Sequence, residues 1–208
     1  MSRRLRLHNV YKLVASAGVL VALGLGGVPA IAQPESYCDD PGSVAAADTT
    51  RELELKQFGV ELAIPSNFRA MLLNSGTVKI VDPGTYELLV CIARGGEALG
   101  RGYAQTRVRT EENPDNLDLR QLVEQNIHEN QDISPYSFDG QQGYLVTQAS
   151  NDQPVGIPDS YAALWIETDE AHGAVVISRS CDCSGQRDRL LSLLERSTML
   201  DSSQATLP

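Results

Sequence analysis

The fold is decided by residues 160–183, which read SYAALWIETDEAHGAVVISRSCDC. Two apolar runs, 161–166 and 174–177, flank a polar connection that contains Gly173, and this pattern predicts a β-hairpin. The first arm carries the only tryptophan, Trp165, and two cysteines follow the second arm. A ribbon that buries a large aromatic side chain normally lies centrally in its sheet, so we expect the other elements to assemble around it.

The first 32 residues have the pattern of a secretory signal peptide. An apolar run over 13–28 ends in Pro29 and the small-residue sequence Ala30-Ile31-Ala32, and it follows four basic residues, Arg3, Arg4, Arg6 and Lys12. The alternative is an uncleaved anchor, because 13–32 is long enough to span a bilayer. Cleavage after Ala32 would leave no stable membrane span. We therefore expect an exported protein of the periplasm, the thylakoid lumen or the extracellular space, secreted by the general or the twin-arginine route.

The chain is strongly acidic. Its 208 residues include 17 basic and 27 acidic side chains, for a formal net charge of −10. The predicted signal holds four of the 17 basic residues and none of the 27 acidic ones, so the remainder carries −14. This balance argues against binding to nucleic acid or to anionic lipid and leaves cationic partners and metal ions open.

The remaining pattern predicts one α+β domain. We expect a flexible leader over 33–55, a domain over 56–200 and a tail over 201–208, because 33–50 is rich in small, polar and acidic residues without a period. Strands are predicted at 58–64, 68–73, 78–81, 86–93, 103–110 and 136–148, the last range being a hairpin around Asp139-Gly140. Helices are predicted at about 117–130, with a capping box of Asp118 and Gln121, and at about 185–198, capped by Ser184. Strands followed by a helix, twice, indicate a mainly antiparallel sheet packed by two helices.

The four cysteines are disulfide candidates: Cys38, Cys91, Cys181 and Cys183. An even number of cysteines in an exported chain favours disulfides, and four cysteines permit three pairings. One bridge from the Cys181/Cys183 pair to Cys91 and another to Cys38 would link the sheet and fix the leader. The alternative is a thiol-based redox or metal-binding pair at Cys181 and Cys183, although a redox centre more typically has the spacing C-x-x-C.

The other candidate residues give little support for a catalytic, phosphate-binding or calcium site. His128 and His172 have no sequence neighbour that would orient either of them as a general base, and no G-x-S-x-G motif is present, so the sequence favours a non-catalytic protein. The glycine-rich segment 95–102 lacks the Lys-Ser/Thr of a phosphate-binding loop. Glu167, Asp169 and Glu170 could ligate calcium, but without the specific calcium-loop pattern a solvated turn is favoured.

Four arginines lie close together in an otherwise acidic sequence: Arg94, Arg101, Arg107 and Arg109. On a strand over 103–110, Arg107 and Arg109 share one face with Gln105, so an open face would let them bind a carboxylate or an anionic surface. The alternative is that these arginines pair with acidic residues of the same chain.

Residues 56–200 resemble the PsbP-like α/β fold family, known from an extrinsic subunit of photosystem II and related accessory proteins. The resemblance lies in FGVELAIPSNFR (58–69), LDLRQLVEQNI (117–127), FDGQQGYLV (138–146) and the strand pair YAALWI and AVVIS. It implies a non-catalytic protein that binds or assembles a partner complex in an exported compartment. After the predicted signal the only lysines are Lys56 and Lys79, whereas the photosystem subunit docks largely through basic residues. For this reason no binding residue of the family is transferred to this chain.

The sequence thus predicts a non-catalytic exported accessory protein that has a protein partner and supports a membrane-associated complex, photosynthetic or other. The alternatives are a redox or metal-binding protein that uses Cys181 and Cys183, and a calcium-binding structural module.

Overall fold

The computed structural model describes residues 37–98, 103–148, 159–168 and 173–200. In chain order, these residues form β1 (Thr50–Leu55), β2 (Val60–Pro65), β3 (Arg69–Leu72), β4 (Val78–Val81), α1 (Pro83–Ala93), β5 (Gln105–Glu112), α2 (Leu119–Asn126), β6 (Gln131–Phe138), β7 (Gln141–Gln148), β8 (Tyr161–Thr168), β9 (Gly173–Ser180), α3 (Gln186–Leu194) and β10 (Thr198–Met199). A short 3-10 turn, Lys56–Phe58, joins β1 to β2.

The hairpin quoted above forms β8 and β9 and lies inside an antiparallel seven-stranded sheet of order β3-β4-β5-β9-β8-β7-β6. Trp165 lies opposite Val176 in the hairpin register and is almost completely buried. At one edge, β6 carries the exposed Pro135. Proline has no backbone N–H, and an edge strand tolerates this because only one of its two sides pairs with another strand. The predicted α+β class, the antiparallel sheet and the central hairpin are confirmed.

The two faces of this sheet are covered differently. On one face, a second sheet of order β1-β2-β10 and helix α3 enclose the larger core, which includes Leu62, Leu164 and Leu190. On the other face, α2 packs on β7 and β8 around Leu122, Val123 and Trp165. Because α2 covers only β7 and β8 on this face, Arg107 of β5 remains exposed on the same face.

The strand predicted at 86–93 is wrong, because these residues belong to α1. Asp82 is the N-cap of α1 and accepts a hydrogen bond from the Thr85 N–H, and Pro83 occupies the first helical turn. Proline suits that position, since its missing N–H would have no intrahelical partner there. Cys91 is half-buried on this helix rather than inside a strand covered on both faces.

The flexible leader predicted over 33–55 is also wrong for its described part. Residues 50–55 form β1, which pairs with β2 along its whole length. Before β1, the Val44 N–H donates to Asp82 Oδ1 (2.9 Å) and the Ala47 N–H donates to Asn67 Oδ1 (2.9 Å). The segment 37–49 is therefore tied to the domain by specific hydrogen bonds despite its composition.

Both predicted helices exist, with shorter bounds. α2 has the predicted capping box, in which the Gln121 N–H donates to Asp118 Oδ1 and Gln121 Oε1 accepts from the Asp118 N–H. For α3 the predicted Ser184 cap is wrong: Gly185 is the N-cap, with a φ of 80° that favours glycine.

Several predictions lie outside the described residues: the signal over 1–32, Arg101, the calcium candidates Asp169 and Glu170, His172 and the tail over 201–208. Within the described ranges, no helix is both long and apolar enough to cross a membrane.

Candidate functional site

Two disulfides join the four cysteines, as Cys38–Cys91 and Cys181–Cys183, with Cα–Cα distances of 5.8 and 5.0 Å. The predicted disulfides are confirmed, but the arrangement that links the 181/183 pair to Cys91 and Cys38 is wrong. β9 ends at Ser180, so both cysteines lie beyond the extended strand and can reach each other. Cys91 is carried on α1, where it meets Cys38 of the segment before β1.

Beside α2, one face of the sheet is polar and accessible. Lys79 on β4 lies directly opposite Arg107 on β5, and Arg107 lies opposite Ser178 on β9. Arg107 is exposed, and Arg109, two residues further along β5, is half-buried. We call this surface the arginine face and define it by Lys79, Tyr103, Gln105, Arg107, Arg109 and Tyr161.

A pocket of about 310 Å³ lies at one end of the arginine face. Gln105 connects two strands at the pocket wall: Gln105 Nε2 donates to Ser180 Oγ (3.2 Å) on β9, and Gln105 Oε1 accepts from Arg107 Nε (3.0 Å) on β5. These hydrogen bonds hold Arg107 next to the pocket. The lining residues are Tyr103, Gln105, Ser160, Tyr161, Ser180, Cys181 and Asp182.

Arg109 connects this surface to the core. Its guanidinium carbon lies 5.5 Å from the centroid of the Trp165 ring, and it forms an ion pair with Glu111. Burial lowers the pKa of Arg109, an effect that Tyr161 opposes and Arg107 reinforces. The cation–π contact explains why a charged side chain can cover the buried tryptophan.

Tyr161 brings a phenol hydroxyl to the site. Burial raises the pKa of its phenol, although the positive charges of Arg109 and Arg107 act in the opposite direction. Since the net shift is upward from 10.0, Tyr161 is neutral at physiological pH and can donate a hydrogen bond to an anion. Tyr103 is fixed nearby by a hydrogen bond from Lys79 Nζ to its hydroxyl (3.1 Å).

The candidate arginines therefore do not form a single group. Arg107 and Arg109 share the arginine face, whereas Arg94 is exposed at the C-cap of α1 and is not part of β5. The sequence did not predict that Lys79, Tyr103 and Tyr161 belong to this surface. Lys79 could not be predicted because the strand expected at 86–93 would have separated β4 from β5. Tyr103 could have been, since it alternates with Gln105, Arg107 and Arg109 on one face of the strand predicted over 103–110.

The Cys181–Cys183 disulfide borders the same pocket, through Cys181. Cys183 Sγ accepts a hydrogen bond from Gln186 Nε2 (3.2 Å), and Gln186 is completely buried at the start of α3. Sequence reasoning missed Gln186, because only the end of β9 and the start of α3 bring it to the sulfur.

The remaining candidates are isolated. His128 is exposed just beyond α2, and its backbone N–H donates to Gln131 Oε1 (3.0 Å). In the described part of the chain, no group of three or more His, Cys, Asp or Glu residues is placed to hold a metal ion.

The chain matches no protein-family model and no curated protein. Among solved structures it is similar to the Ran-binding protein Mog1p of Saccharomyces cerevisiae, at 16% sequence identity and a TM-score of 0.41. The match covers 74% of this chain and 97% of that chain. A likeness at this level assigns neither a family nor a site to the chain.

Proposed function

We propose that this chain is a non-catalytic exported accessory protein that binds a protein partner, and that the arginine face docks an acidic segment of that partner. The observation that carries the proposal is the grouping of Lys79, Arg107 and Arg109 on an accessible sheet face of a chain with a net charge of −10.

Charge complementarity identifies the occupant. Of the three cations, Arg109 pairs with Glu111, and Asp182 is the one carboxylate among the pocket-lining residues. Within the described ranges, neither Lys79 nor Arg107 forms an ion pair with a carboxylate of its own chain. Lys79 Nζ already donates to the Tyr103 hydroxyl and Arg107 Nε to Gln105 Oε1, so external carboxylates would bind through the other donors of these two side chains. A guanidinium can hold a carboxylate through two parallel hydrogen bonds.

The size and lining of the pocket favour part of a polypeptide. At about 310 Å³, it lies at the lower end of the range for small-molecule sites, so it suits one or two side chains better than a large cofactor. Tyr103 and Tyr161 add amphipathic aromatic surface, which is enriched at protein interfaces.

The hydroxyl groups at the pocket support a non-catalytic role. Ser160 Oγ donates to Gln148 Oε1 (2.5 Å), and Ser180 Oγ accepts from Gln105 Nε2. Each of these two serine hydroxyls is thus bonded to an amide rather than to a base that could activate it as a nucleophile.

Two features support export. Residues 1–32 have the composition of a cleavable signal, and the disulfides Cys38–Cys91 and Cys181–Cys183 suit an oxidising compartment such as the periplasm, the thylakoid lumen or the extracellular space. The PsbP-like pattern adds a membrane-associated complex as the setting. A chain that retains residues 1–32 in its native cells would contradict this half of the proposal.

The docking half is tested with a fluorescein-labelled, glutamate-rich peptide, whose dissociation constant is measured by fluorescence anisotropy. Arg107→Glu should weaken binding by about tenfold, because it replaces an attractive charge with a repulsive one. The matched control is Arg94→Glu, which makes the same charge change at an exposed site on α1 and should alter binding by less than about twofold.

Equal losses in the two variants would show that the peptide responds only to net charge. No binding to the unmodified protein at low salt would also refute the docking role. A loss confined to Arg107→Glu supports it.

A further inference from the structure

We infer that Cys181–Cys183 is an exchangeable disulfide that accepts two electrons from a partner dithiol, with Cys181 as the sulfur that is attacked and Cys183 as the sulfur that leaves. This activity does not depend on whether the arginine face binds an acidic segment.

The first reason is that this bond constrains little chain. The stabilisation that a disulfide gives through the unfolded state grows with the logarithm of the loop it closes. Cys181 and Cys183 are separated by two positions, whereas Cys38 and Cys91 are separated by 53. The path of the chain here is also held by backbone hydrogen bonds, from Cys181 N–H to Ser160 O (3.1 Å) and from Gln186 N–H to Asp159 O (2.9 Å).

The second reason is access to one sulfur. Thiol–disulfide exchange requires a thiolate to approach one of the two sulfur atoms directly. Both cysteines are half-buried, but of the two only Cys181 lines the pocket. An incoming thiolate in the pocket therefore meets Cys181.

The third reason is stabilisation of the leaving sulfur. Gln186 Nε2 donates to Cys183 Sγ, and the buried amide also donates to Ser184 O (3.4 Å), so its donor end is directed at this turn. A hydrogen bond to the thiolate favours the ionised form, and a thiol that ionises more readily leaves faster. The carboxylate of Asp182 opposes this effect, but Asp182 is exposed and its charge is screened by solvent.

The exchange balances in two steps. The partner thiolate attacks Cys181 Sγ, a sulfur–sulfur bond forms between them, and the electron pair of the broken bond passes to Cys183 Sγ. The partner's second thiolate then attacks the partner's own sulfur in this mixed disulfide and releases Cys181. The partner departs as a disulfide, and the two cysteine sulfurs take up the two protons that its thiols have lost.

The test is graded reduction of the oxidised protein with dithiothreitol, followed by alkylation and mass spectrometry of the cysteine peptides. Cys38–Cys91 is the control within the same molecule. We expect Cys181 and Cys183 to become alkylated at a dithiothreitol concentration roughly tenfold lower than Cys38 and Cys91. With glutathione and a rapid acid quench, the adduct should lie on Cys181 and the free thiol on Cys183.

The role of the amide is tested with Gln186→Leu, which keeps a buried side chain of similar size and removes the donor. Reduction should slow by about fivefold, the expected effect of one lost hydrogen bond. Gln125→Leu, at an exposed position on α2, should leave the rate unchanged. Equal ease of reduction of the two disulfides, or glutathione on Cys183, would overturn the inference even if Gln186→Leu failed to fold.

Discussion

Asp82 is a carboxylate that is almost completely buried and yet ionised. Burial raises its pKa, but hydrogen bonds from the Thr85 hydroxyl and from the backbone N–H groups of Val44, Thr85 and Gly84 outweigh that effect, so the net pKa is lowered below 3.8. The contact with the Thr85 hydroxyl is 2.6 Å. One side chain thereby caps α1 and holds the segment before β1.

Replacing Asp82 with alanine should lower the free energy of unfolding by about 2–4 kcal/mol, because it removes a helix cap and leaves buried donors without a partner. Urea unfolding measures this change. Asp118→Ala is the matched control: it removes the exposed cap of α2 and should cost only about 1 kcal/mol. Equal costs in the two variants would contradict the role assigned to Asp82.

Asp82 also makes the free energy of unfolding depend on pH. Because the folded-state pKa of Asp82 is lowered, its ionised form stabilises the fold above pH 3.8, and this stabilisation is lost as the pH falls through the folded-state value. The stability difference between the unmodified protein and Asp82→Asn should therefore narrow in this acidic range.

Among the elements, α1 shows where local patterns fail. Leu88 to Ile92 is a continuous apolar run, which also occurs in strands covered on both faces, so periodicity could not distinguish the two. The sequence Asp82-Pro83-Gly84 looks like a turn, but it also fits an N-cap followed by proline at the first helical position. By contrast, the capping box of α2 and the β8–β9 hairpin depend on contacts close in sequence, and both were predictable.

Gly84 of α1 tests how the segment 37–49 packs. A side-chain carbon at this position would collide with the backbone oxygen of Gly42. Gly84→Ala should therefore loosen this segment, although alanine favours helix by about 1 kcal/mol. Hydrogen exchange should show a faster Val44 amide, whereas Glu87→Ala, at an exposed position of the same helix, should not change it. An unchanged Val44 amide would refute this packing.

At the scale of the molecule, the two disulfides differ in what they stabilise. Cys38–Cys91 closes a loop with a sequence separation of 53 and ties the segment before β1 to α1. Because Cys38 and Cys91 lie far apart in sequence and α1 was not predicted, only the presence of disulfides could be predicted, not their connectivity. The arginine face was predictable for Arg107 and Arg109 on β5, but its Lys79 depends on the pairing of β4 with β5.

The double variant Cys38→Ala/Cys91→Ala should lower the free energy of unfolding by about 4 kcal/mol, since it frees the longer loop in the unfolded chain. Cys181→Ala/Cys183→Ala should cost less than about 2 kcal/mol by the same relation. Thermal and urea unfolding of both variants measure the difference. The reverse order of costs would show that loop length does not govern these bonds.

The exposed Pro135 on the edge strand β6 also limits how copies of the protein can meet. A strand from another copy that approached this edge would find no N–H group at the proline, so continuous pairing across molecules would be interrupted there. At the opposite edge, β3 is only four residues long. Both edges of the sheet thus carry a feature that disfavours strand-to-strand growth between copies, a proline on β6 and a short strand at β3.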